Sequence, residues 1–405
     1  MYELVRCSIL GLTPAPARRE IVEAASRCGF NAQRMEELLH PMVRPLNFEI
    51  GMLADSLGVS EDEIRLTFNA LDESLRQRLA SIASQLPKEL APREKSEKFS
   101  EALVPSFTTE LGALYKADCL DFLRSVSAES VDMVFADPPF NLKKIYESGI
   151  DDDLTEKAYL AWCEDWLDEC SRVLKPGGSL FVWNIPKWCT HLSGFLNSRL
   201  TFRHWIAADI KYSLPISKRL YPSHYGLLYY TKGRTPADFS PDRMPMATCP
   251  SCGDELKDYG GYKSKMNPKG INLADVWTDI SPVRHTKHKK RKEANELPIK
   301  LLDRIIEMST AAGQVVLDPF GGAGTTYAVC EIKRRRWIGC EIGSIDQIVE
   351  RLADLSEESA RLDKIRSEYN HLFPPKVHAL RRKRGLWTAE DFSATTEDPA
   401  GQSLF

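Results

Sequence analysis

The sequence predicts an α/β protein in which a doubly wound parallel sheet carries a loop-rich insert and follows a helical unit. Three observations predict it. Residues 1 to about 90 show helical periodicity with few strand signals. From Leu114 onward, short apolar runs bounded by Asp, Gly or Pro turns alternate with helical segments, as in a parallel sheet with crossover helices. The length of 405 residues exceeds that of one ordinary domain, so two or three folding units are expected.

In the first unit, Leu53, Leu57, Ile64, Phe68, Leu71, Leu75 and Leu79 recur at threes, fours and sevens, the spacing of amphipathic helices. Within it, Leu53-Ala54-Asp55-Ser56-Leu57-Gly58-Val59-Ser60-Glu61-Asp62-Glu63-Ile64 suits two helices crossing through a tight turn. The second helix opens on three acids that repel phosphate, so a helical hairpin or dimerisation element is expected rather than a DNA-reading one. The charged stretch Pro92 to Lys98 reads as a linker. Strands are expected at Val131–Phe135, Ser179–Trp183, Gln314–Leu317 and Trp337–Cys340. Between about 205 and 292 the chain is aromatic and punctuated by Gly and Pro, and reads as an insert. After Leu355 a polar helix is expected, then Arg381-Arg382-Lys383-Arg384 and an unstructured polar end.

Composition sets the class. Apolar residues at 43% and charged residues at 27% are those of a globular chain with material for a core, which excludes collagen, coiled coil and overall disorder. Ten irregularly spaced cysteines point to reduced thiols in a cytosolic protein. The N-terminus lacks the features of a signal peptide, and no apolar run approaches the length of a membrane span. Net charge is only −3, but residues 210–300 hold 17 Lys and Arg against 9 Asp and Glu. That local excess of +8 fits phosphate neutralisation, and it is densest from Arg284 to Lys292 (Arg284, Lys287, Lys289, Lys290, Arg291, Lys292).

Two motifs carry chemistry. Asp137-Pro138-Pro139-Phe140 follows a strand that two prolines must end, placing it where ligands bind in open α/β sheets. One carboxylate, one proline carbonyl and one aromatic face suit a planar ring bearing an exocyclic amine. The second motif, Asp318-Pro319-Phe320-Gly321-Gly322-Ala323-Gly324-Thr325-Thr326, also follows a strand. Its glycines admit a ligand close to the backbone, and the next helix offers N–H groups to an anion. A nicotinamide dinucleotide would require a third glycine where Tyr327 stands. Glu341, ending the strand after that loop, suits the two hydroxyls of a ribose.

Taken in order, these motifs resemble the amino-methyltransferases that act on DNA. Asp137 to Phe140, followed by Asn141-Leu142, is similar to their catalytic motif, and Asp318 to Thr326 to their S-adenosylmethionine loop. Ala117-Asp118-Cys119-Leu120 resembles the acidic motif before the catalytic strand, with Ala117 where the family usually has Gly. Arg172 to Gly178 resembles the helix-to-strand turn after it. The catalytic motif precedes the cofactor loop, which is the permuted order of the beta group. The resemblance covers about 108–355 and implies a Rossmann-like methyltransferase sheet with S-adenosylmethionine as cofactor and duplex DNA as partner. It implies that Asp137, Pro138, Pro139 and Phe140 hold the target base. Asp118, Asp318, Phe320, Gly322, Gly324, Thr325 and Glu341 would hold the cofactor, with Asp118 near its adenine and Glu341 on its ribose. Asp as first residue of the tetrapeptide resembles the adenine-N6 enzymes, cytosine-N4 members more often having Ser. The alternatives are cytosine-N4 methylation and a DNA-binding regulator that has lost activity. A cognate restriction endonuclease and a homodimer are further candidate partners.

The implied organisation is a helical unit (1–90), a linker (91–107), a first catalytic segment (108–204), a target-recognition insert (205–285), a second catalytic segment (286–355), and a helix with a polar tail (356–405). Cys249-Pro250-Ser251-Cys252-Gly253 has the turn of a zinc knuckle. A second Cys-x-x-Cys is missing, and His285 and His288 are too closely spaced to complete it, so no metal is expected. Glu293-Ala294-Asn295-Glu296-Leu297-Pro298 resembles the family's motif before the cofactor loop, with Leu297-Pro298 where members often have Lys-Pro.

Overall fold

A computed structural model describes residues 2–39, 43–82, 103–142, 152–209, 217–218, 220–256, 266–280 and 296–392. The chain divides into two compact units, Met1–Lys98 and Phe99–Phe405.

The first unit is helical: α1 (Tyr2–Ile9), α2 (Arg18–Arg27), α3 (Ala32–Leu39), α4 (Asn47–Leu57), α5 (Glu61–Thr67) and α6 (Glu73–Ser81). Leu10, Met35, Leu38, Leu53, Ile64 and Phe68 are fully buried in its core. Gly58, left-handed at φ 67°, ends α4, and the Ser60 hydroxyl caps α5 by accepting from the Glu63 amide. The buried Arg6 guanidinium donates to the Leu38, Val43 and Phe68 carbonyls at 3.0, 2.9 and 3.1 Å, so backbone oxygens offset much of the cost of burying its charge.

Among the described residues, the second unit is built on nine strands: β1 (Phe107–Thr108), β2 (Gly112–Lys116), β3 (Val131–Ala136), β4 (Leu174–Asn184), β5 (Thr201–Asp209), β6 (His224–Thr231), β7 (Val276–Trp277), β8 (Val315–Asp318) and β9 (Arg336–Glu341). Their order is β1-β2-β9-β8-β3-β4-β6-β5-β7. Strands β2, β9, β8, β3 and β4 are parallel, whereas β6 runs antiparallel to both β4 and β5. Helices α7 (Cys119–Ser125), α8 (Glu156–Val173) and α11 (Thr325–Ile332) make the crossovers β2–β3, β3–β4 and β8–β9. From β3 the chain winds towards β4, and from β8 in the opposite direction towards β9. The topological switch point of a doubly wound sheet therefore lies between β3 and β8, which pair through Met133–Val316 and Val134–Leu317. The four expected strands all form, with boundaries shifted by a few residues.

Three local expectations need correction. The Lys175-Pro176-Gly177-Gly178 segment is not a separate turn but a bulge inside β4, where the pairing with β3 jumps from Val131–Leu174 to Met133–Ser179. Part of the expected loop-rich insert is sheet, since β6 lies wholly within it between β4 and β5. Its run Gly226-Leu227-Leu228-Tyr229-Tyr230-Thr231 is buried throughout, as a strand covered on both faces must be. Third, Arg381 to Arg384 do not lead out of the fold. After α9 (Pro186–Leu196), α10 (Ile299–Ser309), α12 (Asp346–Ala353) and α13 (Ser356–Arg366), they close helix α14 (Pro375–Lys383). Leu372, Phe373, Trp387 and Phe392 pack there with Met246, an apolar set sufficient to order a segment otherwise rich in charge.

Candidate active site

Both motifs end neighbouring strands at the switch point, so the fold brings together residues far apart in sequence. Asp137 to Phe140 leave β3, and Asp318 ends β8 beside it. Next come Glu341 at the end of β9 and, across the Lys116–Glu341 pair, Asp118 just past β2.

The Asp137-Pro138-Pro139-Phe140 turn is held from behind. Tyr159 on α8 donates its hydroxyl to the Pro139 carbonyl at 2.7 Å and accepts from the Asn184 amide at 3.3 Å. Trp188 on α9 donates its indole N–H to the Phe140 carbonyl at 2.7 Å. The next residue, Asn141, is left-handed (φ 54°), and its backbone N–H is taken by Asp152 at 2.8 Å. With those two carbonyls occupied, the Pro138 carbonyl has no donor among the described residues. Phe140 is buried, with its ring 5.8 Å from that of Tyr225, which lies 5.0 Å from Trp183. Burial first, and then the nearby Asp137 carboxylate, raise the Tyr225 phenol above its ordinary pKa. The result is a carboxylate and an unengaged carbonyl on a turn packed against a cluster of aromatic rings.

The glycine loop is equally fixed. Asp318 is buried, accepting from the Phe320 amide at 2.9 Å and the Thr326 hydroxyl at 2.5 Å. Desolvation dominates these bonds and pushes its pKa up to about 7. Gly322 and Gly324 are left-handed at φ 54° and 73°, and a Cβ on Gly324 would meet the Ile348 side chain at 2.8 Å. Buried Arg351 on α12 donates to the Ala323 carbonyl and the Thr325 hydroxyl, both at 2.9 Å, and pairs with Glu296 at 3.2 Å and Glu358 at 2.8 Å. Phe320 stands edge-on to Trp162 and Trp166 of α8, with ring centroids 5.8 and 5.2 Å away.

Glu341 accepts from the Gly322 amide on one oxygen and the Gly343 amide on the other, both at 2.8 Å. Each oxygen keeps a second lone pair, so the carboxylate can still receive two neighbouring hydroxyls. Asp118 caps α7 by accepting from the Leu120 amide at 2.8 Å and likewise retains acceptor capacity. An open glycine turn, an aromatic wall and two oriented carboxylates fit a nucleoside carrying a charged tail.

Tyr159, Asn184, Trp188, Trp162, Trp166 and Arg351 are site residues that sequence reading did not single out. Only the four-residue spacing of Trp162 and Trp166 on one helix face gave a signal. Arg284, Lys287, Lys289, Lys290, Arg291 and Lys292 lie outside the described residues, as do His285, His288 and Asn295. Among the described residues no group of three or more side chains is placed to hold a metal ion, and no helix is long and apolar enough to cross a membrane.

A family model described as DNA methylase (N6_N4_Mtase) matches residues 131–350. The chain is similar to the Type II methyltransferase M.BamHI of Bacillus amyloliquefaciens, with 49% identity over 86% of this chain and 84% of that one. It is also similar to the DNA adenine methyltransferase YhdJ of Escherichia coli (strain K12), with 31% identity over 59% of this chain and 81% of that one. A solved PvuII DNA methyltransferase (cytosine-N4-specific) superposes with a TM-score of 0.46 at 20% identity, covering 64% of this chain and 93% of that one.

Proposed function

This chain belongs to the N6/N4 DNA methylase family, and on that premise we propose that it methylates the exocyclic N6 of an adenine flipped out of duplex DNA, with S-adenosylmethionine as methyl donor. The single observation that carries the reading is the convergence of the Asp137 turn and the Gly322/Gly324 loop at one switch point.

When bound, S-adenosylmethionine supplies a methyl group already activated by its sulfonium, so the protein contributes position and electrostatics. Phe320 with Trp162 and Trp166, the Gly322/Gly324 turn, Glu341 and Asp118 would hold it. The amine's lone pair is delocalised into the ring. Asp137 and the Pro138 carbonyl accept its two hydrogens, which favours pyramidal nitrogen and turns the lone pair away from the ring. Their fixed acceptors also stabilise the positive charge that develops on nitrogen. Phe140 stacks on the base once it leaves the duplex, a movement costing roughly a few kcal/mol. No covalent intermediate on the protein is needed. The buried cysteines are poor nucleophiles in any case: desolvation pushes the Cys163 thiol up to about 12.

Asp137 at the first position is what favours adenine. The site's acceptors would serve cytosine N4 by the same chemistry, so the test must identify the base. Expressing the gene in a methylation-free host and sequencing its DNA with modification detection gives base and site together. N6-methyladenine at one recurrent sequence is expected; N4-methylcytosine would replace the base but keep the chemistry, and unmodified DNA would refute the reading. The basic run from Arg284 to Lys292 is proposed to neutralise phosphates. Replacing Lys289, Lys290 and Arg291 with Ala should then flatten the salt dependence of DNA binding. A cognate endonuclease and a homodimer are partners that this role would accommodate.

A further inference from the structure

The C-terminal segment does more than close the fold. Residues 366–372 run along 242–246: Arg366 pairs with Asp242 at 3.0 Å, and the Asn370 amide donates to the Arg243 carbonyl at 2.9 Å. The Arg243 amide donates to the Asn370 side chain at 2.9 Å, and the Met246 amide to the Leu372 carbonyl at 2.9 Å. Helix α14 is then locked on the same segment by Arg381, which is fully buried. Its guanidinium lies over the Phe373 and Trp387 rings (4.2 and 4.5 Å), donates to the Gly253 carbonyl at 2.6 Å and pairs with Glu255 at 3.2 Å. This buried cation thus ties α14 both to residues 253–255 and, through its Nε–H bond to the Trp387 carbonyl at 2.8 Å, to the turn that follows the helix.

The outward side of this braced helix is basic. Lys376, Arg382 and Lys383 are exposed, α14 contains no Asp or Glu, and none of the three has an acidic partner among the described residues. Lys376 and Lys383 are seven residues apart and therefore share a face. Cations at a helix C-terminus complement the helix dipole, which would account for Arg382 and Lys383 without any ligand. The same dipole disfavours Lys376, in the first turn, so helix stability does not explain the set. In a chain of net charge −3, an uncompensated and rigidly mounted basic face is complementary to an anionic partner.

We infer that α14 and the 242–256 segment it braces form one DNA-contacting module, in which Lys376, Arg382 and Lys383 neutralise backbone phosphates of the bound duplex. The inference rests on the DNA methylase reading and adds phosphate-binding residues outside the sequence run 284–292. Phosphate contacts position a duplex without reading its sequence, so their loss should weaken cognate and unrelated DNA alike.

The test is the slope of log affinity against log salt for the full-length protein on duplex DNA, comparing wild type with K376Q/R382Q/K383Q. Each lost phosphate contact should lower the slope by about 0.9, so a reduction of about 2 to 3 is expected, with equal losses on both DNAs. Cofactor binding should stay unchanged, and melting temperature should fall only slightly, through the lost dipole contacts of Arg382 and Lys383. Lys376→Gln alone, which removes a first-turn cation and so spares the helix, should lower the slope by about 1. A wild-type chain that binds DNA with a steep slope, matched by both variants, overturns this surface while leaving the methylase reading intact. A wild-type chain that binds no duplex at any salt overturns both.

Discussion

The Tyr159 hydroxyl donates to the Pro139 carbonyl at 2.7 Å, tying helix α8 to the turn that presents Asp137. The bond fixes which carbonyl faces inward and which is left for a substrate. Tyr159→Phe keeps the ring packing and removes only the donor. It should lower kcat about tenfold or more through misplacement of the turn, with cofactor affinity unchanged. Single-turnover methyl transfer at saturating DNA, beside equilibrium cofactor binding, measures the two separately. An equal loss in both would show that Tyr159 supports the whole sheet end rather than the turn.

Gly324 tests the glycine loop. At φ 73°, with Ile348 only 2.8 Å from where a Cβ would stand, Gly324→Ala combines backbone strain with a clash. It should cost about 1 to 3 kcal/mol of stability and weaken cofactor binding while leaving DNA affinity near normal. Thermal unfolding and calorimetric titration read both; unchanged cofactor affinity would place the ligand elsewhere.

Asp318 gives a pH signature. Burial raises its pKa to about 7, above the unfolded value near 4. The folded state therefore holds a proton that the unfolded chain releases, and this group's contribution to stability falls as pH rises from about 4 through about 7. Asp318→Asn cannot ionise. Its melting temperature relative to wild type should rise progressively across that interval, and a constant difference between the two would contradict the assignment.

Asp279 has the opposite sign. Burial alone would raise it, but the Arg304 fork at 2.6 and 3.0 Å and Lys300 at 2.6 Å outweigh that and hold its carboxyl well below the usual range. Its stabilisation is present above about pH 4 and lost as pH falls below it. Asp279→Asn should therefore be destabilised near pH 7, with the gap to wild type closing in acid; equilibrium denaturation at both pH values checks it.

Much of this was legible in the chain. Asp137-Pro138-Pro139-Phe140 and the Gly322/Gly324 loop announce strand ends because proline and glycine restrict backbone locally, and that restriction survives any tertiary context. Strand β6 was obscured because a strand buried on both faces loses its alternation, so its apolar run merged with the aromatic insert. Tyr159, Trp188 and Arg351 were hidden for a different reason. Each acts through a side chain reaching across the fold to a backbone carbonyl, and nothing in its own neighbourhood of sequence marks the partner. Helix α14 reads as polar because its own residues are mostly charged and the apolar set that orders it is completed by Met246, more than a hundred residues away.

The central claim is that the Asp137 carboxylate, presented at the switch point, performs transfer to a base amine. Incubating the protein with methyl-labelled S-adenosylmethionine and duplex DNA, then separating the nucleosides, tests it most directly. Wild type should place label on an exocyclic amine, whereas Asp137→Ala should abolish transfer with cofactor binding largely intact. Near-normal labelling by Asp137→Ala, or wild-type protein that binds both ligands yet labels no nucleoside, would contradict the account.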